Sequence, residues 1–262
     1  MSAMKGKVAL VTGAAGGIGS ATAVMFARHG VDLALTDLDA DSDQAKDVLR
    51  QVEALGVRCV FLSADVSDPL QCDRMVRGAA DAFGRLDFAF NNAGISGKFD
   101  PDGEPYGTLI EQYPFEMWQK VIAVNLTSVF NCLKAEIDVM EPTGGGAIVN
   151  TASVLSIVDV YTSNPAYTAA KHGVAGLTKH VANNYGKRGF RCNAVAPAII
   201  ESAMSARSRA TPEIMAEQNA ANPMGRYGKP DEVAGAVVWL CSAEAGYVNG
   251  HLLTIDGGYT IR

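Results

Sequence analysis

Seven short apolar runs recur along the chain: VALVTG (8–13), VDLALTD (31–37), CVFLSAD (59–65), LDFAFNNAG (86–94), GAIVNTAS (146–153), RCNAVAP (191–197) and HLLTIDGG (251–258). Runs so short and so apolar, each closed by a polar or glycine turn, read as strands buried on both faces of a parallel sheet. Parallel neighbours need crossovers. SATAVMFARHG, AKDVLRQVEALG and CDRMVRGAADAFG supply them, each helical in pattern and ending at a glycine. The alternation predicts an α/β fold: a doubly wound parallel sheet of seven strands with helices on both faces. Ligands of such sheets bind beyond the carboxyl ends of the strands, so the residues there carry the functional reading.

No Pro/Ser-rich linker, low-complexity tract or fixed-period repeat interrupts this order, which predicts a single domain over residues 1–262. A 48% hydrophobic content is enough to fill its core. The formal charge is -6 and the 22 basic residues are scattered, which argues against nucleic acid and against an anionic membrane surface. The opening MSAMKGKVALVTG has no extended apolar segment, and no stretch approaches the roughly 20 apolar residues of a membrane span. A cytoplasmic location is the expectation. Cys59, Cys72, Cys132, Cys192 and Cys241 form no CxxC pair and are odd in number, a pattern of reduced core thiols. His29, His172, His180 and His251 make no HExxH pattern, so no metal is expected.

The first run leads into TGAAGGIGSATAV, with Gly13, Gly17 and Gly19 ahead of a helix. Glycines there let the backbone turn and approach a pyrophosphate, whose charge rests on unsatisfied helix N–H groups. Taken alone, the loop is also an ordinary tight turn. Asp37 adds context: it ends the second run 18 positions beyond Gly19, near the offset of about 20 at which a carboxylate grips the adenosine ribose. Such a carboxylate accepts hydrogen bonds from both ribose hydroxyls and repels a 2'-phosphate. Neither Gly16 nor Leu38 supplies a compensating positive charge, so NAD is favoured over NADP.

In PAYTAAKHG (165–173), Tyr167 and Lys171 stand four apart, on one face of a helix. By spacing alone this is equally a decorated helix surface. A tyrosine at its ordinary pKa of about 10 is a poor base near neutrality, and a nearby ammonium favours the phenolate. Ser153 closes the GAIVNTAS run and Asn125 sits in VIAVNLTSVF. Individually they also read as a strand-end turn residue and a polar helix residue.

Together TGAAGGIG, Asp65-Val66, NNAG (91–94), Asn125, Ser153, YTAAK (167–171), NPMGRYGKPDEVA (222–234) and the final GHLLTIDGG resemble, in order, the short-chain dehydrogenase/reductase family in its compact, Rossmann-like form. The resemblance implies hydride transfer between a small alcohol or ketone and a nicotinamide. Tyr167 is then the general base and Ser153 the hydrogen-bond donor to the substrate oxygen. Lys171 lowers the tyrosine pKa and holds the nicotinamide ribose, and Asn125 anchors a water that relays the proton. It further implies Gly13, Gly17, Ile18, Gly19 and Asp37 at the cofactor, Asp65 on the adenine amino group with Val66 alongside, and Asn92, Ala93 and Gly94 in the cofactor cleft. Pro197, Ile200 and Ser202 belong to the segment beside the nicotinamide. A homotetramer is implied as well, for which the stripe Trp118, Val121, Ile122, Val129, Phe130, Leu133 and Ile137 serves as interface or as internal core.

Ala198 replaces the family's usual glycine, and Ser202 its usual threonine. Thirteen residues separate Ser153 from Tyr167, one more than usual, which predicts a bulge beside the substrate. The stretch 96–114 is longer than in most relatives and predicts an ordered surface loop, whose Asp100, Asp102 and Glu104 read as solvated and which otherwise shapes the pocket entrance or an oligomer contact. Residues 199–221 occupy the place of a mobile lid. Met204, Ile214 and Met215 either close an apolar pocket or pack the lid, and Arg207 and Arg209 have no assignable role. The leading expectation is an NAD-dependent dehydrogenase of a secondary alcohol. The alternatives are an NADPH-dependent reductase of ketones or 3-oxoacyl thioesters, and a cofactor-binding regulator without chemistry.

Overall fold

The seven runs form β1 (Val8–Thr12), β2 (Asp32–Asp37), β3 (Cys59–Ser63), β4 (Phe88–Asn91), β5 (Gly146–Thr151), β6 (Phe190–Pro197) and β7 (Leu252–Ile255). In the computed structural model, which describes residues 4–100, 103–160, 163–206 and 212–261, they pair in parallel in the order β3-β2-β1-β4-β5-β6-β7. The fold class expected from the sequence is the one observed.

Eight α-helices accompany them among the described residues: α1 (Gly17–Arg28), α2 (Asp43–Glu53), α3 (Pro69–Phe83), α4 (Phe115–Ile122), α5 (Ser128–Met140), α6 (Pro165–Tyr185), α7 (Pro212–Ala220) and α8 (Pro230–Cys241). Side chains alternate across each strand. In β1, Val8 and Leu10 therefore enter a cluster with α3, α5 and α6, while Ala9 and Val11 enter one with α1, α2 and α8. Burial on both faces is why β1 reads as an unbroken apolar run. No described helix is long and apolar enough to cross a membrane.

Local chemistry fixes where the site-bearing helices begin. Before α6, Asn164 accepts a hydrogen bond from Tyr167 N at 2.9 Å and Pro165 takes the first helical position. Both choices satisfy or remove N–H donors that a helix start leaves unpaired. Asn164 Nδ2 also donates to Ser96 O at 2.9 Å, so the start of α6 is tied to the chain leaving β4. Between α4 and α5 lies a π-helical turn, Ala123–Thr127, that carries Asn125. Such wide turns are rare and recur at functional sites.

The carboxyl ends of the central strands are joined by buried polar groups. Asn91 Nδ2 donates to Asn150 Oδ1 at 3.0 Å and to Glu136 Oε2 at 3.1 Å, and Asn150 Nδ2 donates to Thr178 Oγ1 at 2.9 Å. Glu136 is fully buried, and burial pushes its carboxyl up to about 8.

Candidate active site

Because the strand order reverses between β1 and β4, their carboxyl ends diverge into a crevice. Thr12 holds its floor: its hydroxyl accepts from Asn92 N at 2.9 Å and Ala93 N at 3.1 Å, and Asn92 Nδ2 donates back to Thr12 O at 3.1 Å. Above it runs a cleft of about 890 Å³ lined by Gly13, Gly17, Asp37, Asp65, Val66 and Gly94, together with Ile18, Asn92, Ala93 and Ser202.

Two glycines are dictated by space. At Gly13, φ is 66° and a Cβ would stand 2.9 Å from Ala93 Cα. A Cβ at Gly19 would stand 2.1 Å from Gly13 O. Gly19 is buried under the turn, where its lack of a side chain lets α1 pack against the loop. The start of α1 has no side-chain cap and no acidic residue in its first turn, so no side chain of its own competes with an anion for its N–H groups. Asp37 accepts from Ala15 N at 3.0 Å and Leu38 N at 2.9 Å, which fixes its carboxylate at the rim. Asp65 is fixed likewise by Ser67 N at 2.9 Å and Ser67 Oγ at 2.7 Å. Glycine backbone, a bare helix start and carboxylate acceptors at one end fit a dinucleotide.

The cleft runs into a cavity of about 210 Å³ at the ends of β5 and β6, where Ser153, Tyr167 and Lys171 converge with Pro197, Ile200 and Ser202. Ser153 is buried and accepts from Leu155 N at 3.2 Å. The extra residue between Ser153 and Tyr167 falls in a segment that opens with the 3-10 turn Val154–Ser156. Lys171 is 3% exposed and its Nζ donates to Thr151 O at 2.7 Å. That ammonium lies 5.4 Å from the Tyr167 ring centroid.

In the dinucleotide-free chain, burial dominates the electrostatics of both groups. Burial pushes the Tyr167 phenol up to about 12, and the hydrogen bond from Ser153 only partly opposes this. Lys171 is itself pulled down to about 8 by burial. Proximity of four residues therefore does not by itself produce a phenolate, because both groups sit where charge is poorly solvated. Asn125 is fully buried behind the cavity wall, and its amide is committed to the backbone of Ile95, accepting from N at 2.8 Å and donating to O at 2.8 Å.

In the lid region, Met204 lines the cavity, whereas Ile214 and Met215 do not. Arg207 and Arg209 lie outside the described residues, as does Asp102 of the long loop. Sequence reasoning passed over four contributors: Thr12, Asn164, Ser96 and Lys98, the last two lining the cavity. An Asn-Pro pair before a helical pattern signals the Asn164 cap. Nothing in residue spacing signals Lys98.

A dinucleotide-sized cleft opening onto a serine, a tyrosine and a lysine defines the class: nicotinamide-dependent oxidoreductases. The sequence family described as enoyl-(acyl carrier protein) reductase matches residues 13–260. The chain is 38% identical to cyclohexanol dehydrogenase of Acinetobacter sp. strain SE19, over 98% of this chain and 96% of that protein. With cis-4-hydroxycyclohexanecarboxylate dehydrogenase of Sinomonas cyclohexanicum the identity is 39%, over 97% and 96%. A crystal structure with bound NADP, of a protein from Agrobacterium tumefaciens provisionally named 2-deoxy-D-gluconate 3-dehydrogenase, superposes with a TM-score of 0.87 at 35% identity, covering 99% of this chain and 98% of the other. The chain belongs to the short-chain dehydrogenase/reductase family and is an oxidoreductase acting on alcohol or ketone substrates.

Proposed function

We propose that this single-domain chain exchanges hydride between NAD and an alicyclic secondary alcohol or its ketone, chiefly in the oxidative direction, as a cytoplasmic homotetramer. The observation that carries the reading is the convergence of Ser153, Tyr167 and Lys171 on one cavity at the end of a cleft whose rim bears Asp37. Support for a ring substrate comes from the relatives named for cyclohexanol and hydroxycyclohexanecarboxylate, and from apolar Leu155, Ile199 and Met204 in the cavity lining.

Gly13, Gly17, the start of α1, Asp37 and Asp65 would hold the dinucleotide, and Pro197, Ile200 and Ser202 would hold its nicotinamide end. When bound, the nicotinamide supplies the hydride acceptor or donor. The chain's part is to place the carbinol and move its proton. Ser153 donates to the substrate oxygen and steadies the charge that develops there. Tyr167 Oη takes the hydroxyl proton during oxidation and returns it during reduction. Starting from about 12, a phenol tuned to near 8 needs about 5 kcal/mol of added stabilisation of the phenolate. Lys171, whose ammonium lies 5.4 Å from the Tyr167 ring centroid, would contribute to it and would hold the ribose. Asn125 fixes the wall through Ile95 and anchors the relay water.

The competing reading is NADP, favoured by the cofactor of the Agrobacterium structure and by Lys120, the one cation among the described lining residues of the cleft. Lys120 stands on α4, whereas Asp37 ends β2. Paired fluorescence titrations with NADH and NADPH decide between them. NADH is expected to bind at least tenfold tighter, about 1.4 kcal/mol, with the difference eroded by Asp37→Ala. Equal affinities in the unsubstituted protein would overturn the NAD reading, and tighter NADPH binding would put NADP in its place.

A further inference from the structure

The long loop after β4 is folded. Gly97 adopts φ 63°, and a Cβ there would stand 2.4 Å from Val121 Cγ2. The Tyr113 hydroxyl donates to Gly97 O at 2.8 Å. Beyond it the chain doubles back: Phe99 bridges Pro105 in antiparallel fashion, Tyr106 N donates to Lys98 O at 2.9 Å, and Asp100 N donates to Glu104 O at 2.9 Å. Lys98 is thereby pinned at the base of a small hairpin, where it lines the same cavity as Ser153 and Tyr167.

The Lys98 side chain is half-buried and forms no ion pair or side-chain hydrogen bond with any described residue. On the hairpin itself, Asp100 Oδ1 accepts from Glu104 N at 2.8 Å, and Glu104 is exposed. No Asp or Glu lines the cavity among the described residues, and the other lysine there, Lys171, is committed to Thr151 O. Leu155, Ile199 and Met204 make much of the remaining lining apolar. Burial without an opposing charge pulls the Lys98 pKa down. Removing an ammonium from water with nothing to pair it is unfavourable unless a ligand brings the counter-charge. Lys98 lines the cavity of Ser153 and Tyr167 and not the dinucleotide cleft.

We propose that Lys98 is a specificity-determining residue that binds a carboxylate on the substrate's carbon frame, remote from the carbinol. The inference rests on the proposed function and narrows it: the natural substrate is a hydroxy acid, or the corresponding oxo acid, with an apolar ring between its two polar ends. The apolar wall takes the ring and Lys98 the distal carboxylate, through a charge-assisted hydrogen bond.

Binding tests this without requiring turnover. The protein loaded with whichever of NADH and NADPH it binds is titrated with cyclohexanecarboxylate and with cyclohexanecarboxamide, reading nicotinamide fluorescence. The carboxylate is expected to bind at least tenfold tighter. Lys98→Met abolishes that preference while dinucleotide affinity and carboxamide affinity stay within twofold, which also shows the variant folded; Lys98→Arg retains it. A preference below twofold in the unsubstituted protein, or one that survives Lys98→Met, overturns the proposal, as does failure of both ligands to bind at about 10 mM. Alcohol turnover, assayed separately, keeps the two claims apart. Carboxylate preference without turnover of any alcohol fails the proposed function alone, and turnover without a Lys98-dependent preference fails only the present inference.

Discussion

Tyr167 shows how far one side chain can be read from sequence. Its spacing from Lys171 was legible, since a helix places residues four apart on one face. The direction of its pKa was not, because desolvation depends on what else packs around it: the ring joins a cluster with Tyr113, Val121 and Ala166, supplied by the long loop, α4 and α6. In the dinucleotide-free protein, near-ultraviolet difference titration of wild type against Tyr167→Phe is expected to show no phenolate appearing below the ordinary tyrosine value of 10. A phenolate step near 8 would contradict the burial argument. The group that titrates near 8 in this cavity is Lys171, which loses its charge as pH rises through that value.

Among the elements, strands were more legible than helices. Each of the seven apolar runs marks one strand, β6 beginning one residue earlier at Phe190, since a sheet covered on both faces demands apolar side chains in both directions. The helix pattern at 118–137 gave less. Val121, Val129 and Leu133 are buried within the chain, while Phe130 is 53% exposed, so one sequence stripe divides between core and outer surface. The π-helical turn at Ala123–Thr127 rotates the residues after it, and a regular 3.6-residue period cannot foresee that shift. Glu136 on α5 was also hidden, because a carboxylate in an amphipathic helix ordinarily marks the wet face. Here it is buried against Asn91, with Glu136 Oε1 and Asn91 Oδ1 both lacking hydrogen-bond partners. A neutral carboxyl carries one O–H donor, which suits a site short of donors. With the carboxyl pKa raised from 4.5 to about 8, the folded chain holds a proton that the unfolded chain has released. Stability from this group is full below pH 4.5 and is lost as pH rises through about 8. Glu136→Gln should flatten that fall and melt higher than wild type at pH 9, by about 1–3 kcal/mol in stability. Parallel melting curves for the two proteins from pH 5 to pH 9 would refute it.

Across the whole molecule, topology explains why residues from such distant sequence positions meet. Reversal of the sheet at β1 and β4 opens the crevice, and parallel strands bring every carboxyl end to the same edge. Gly13, Asp37, Asn92, Ser153 and Pro197 all stand at or just beyond strand ends, which is why the sequence marks them. Lys98 could not, because its place depends on a hairpin closed by Tyr106, Tyr113 and a glycine at positive φ rather than on a strand or helix period. The central claim is that this edge performs proton and hydride exchange on a secondary alcohol, with Tyr167 handling the proton. Its most direct test is steady-state turnover of cyclohexanol with NAD by wild type and Tyr167→Phe, alongside dinucleotide affinity. A fall of at least about 100-fold in kcat/KM, some 2.7 kcal/mol, with dinucleotide affinity unchanged, is expected. Activity of the variant within about tenfold of wild type, 1.4 kcal/mol, would contradict the account.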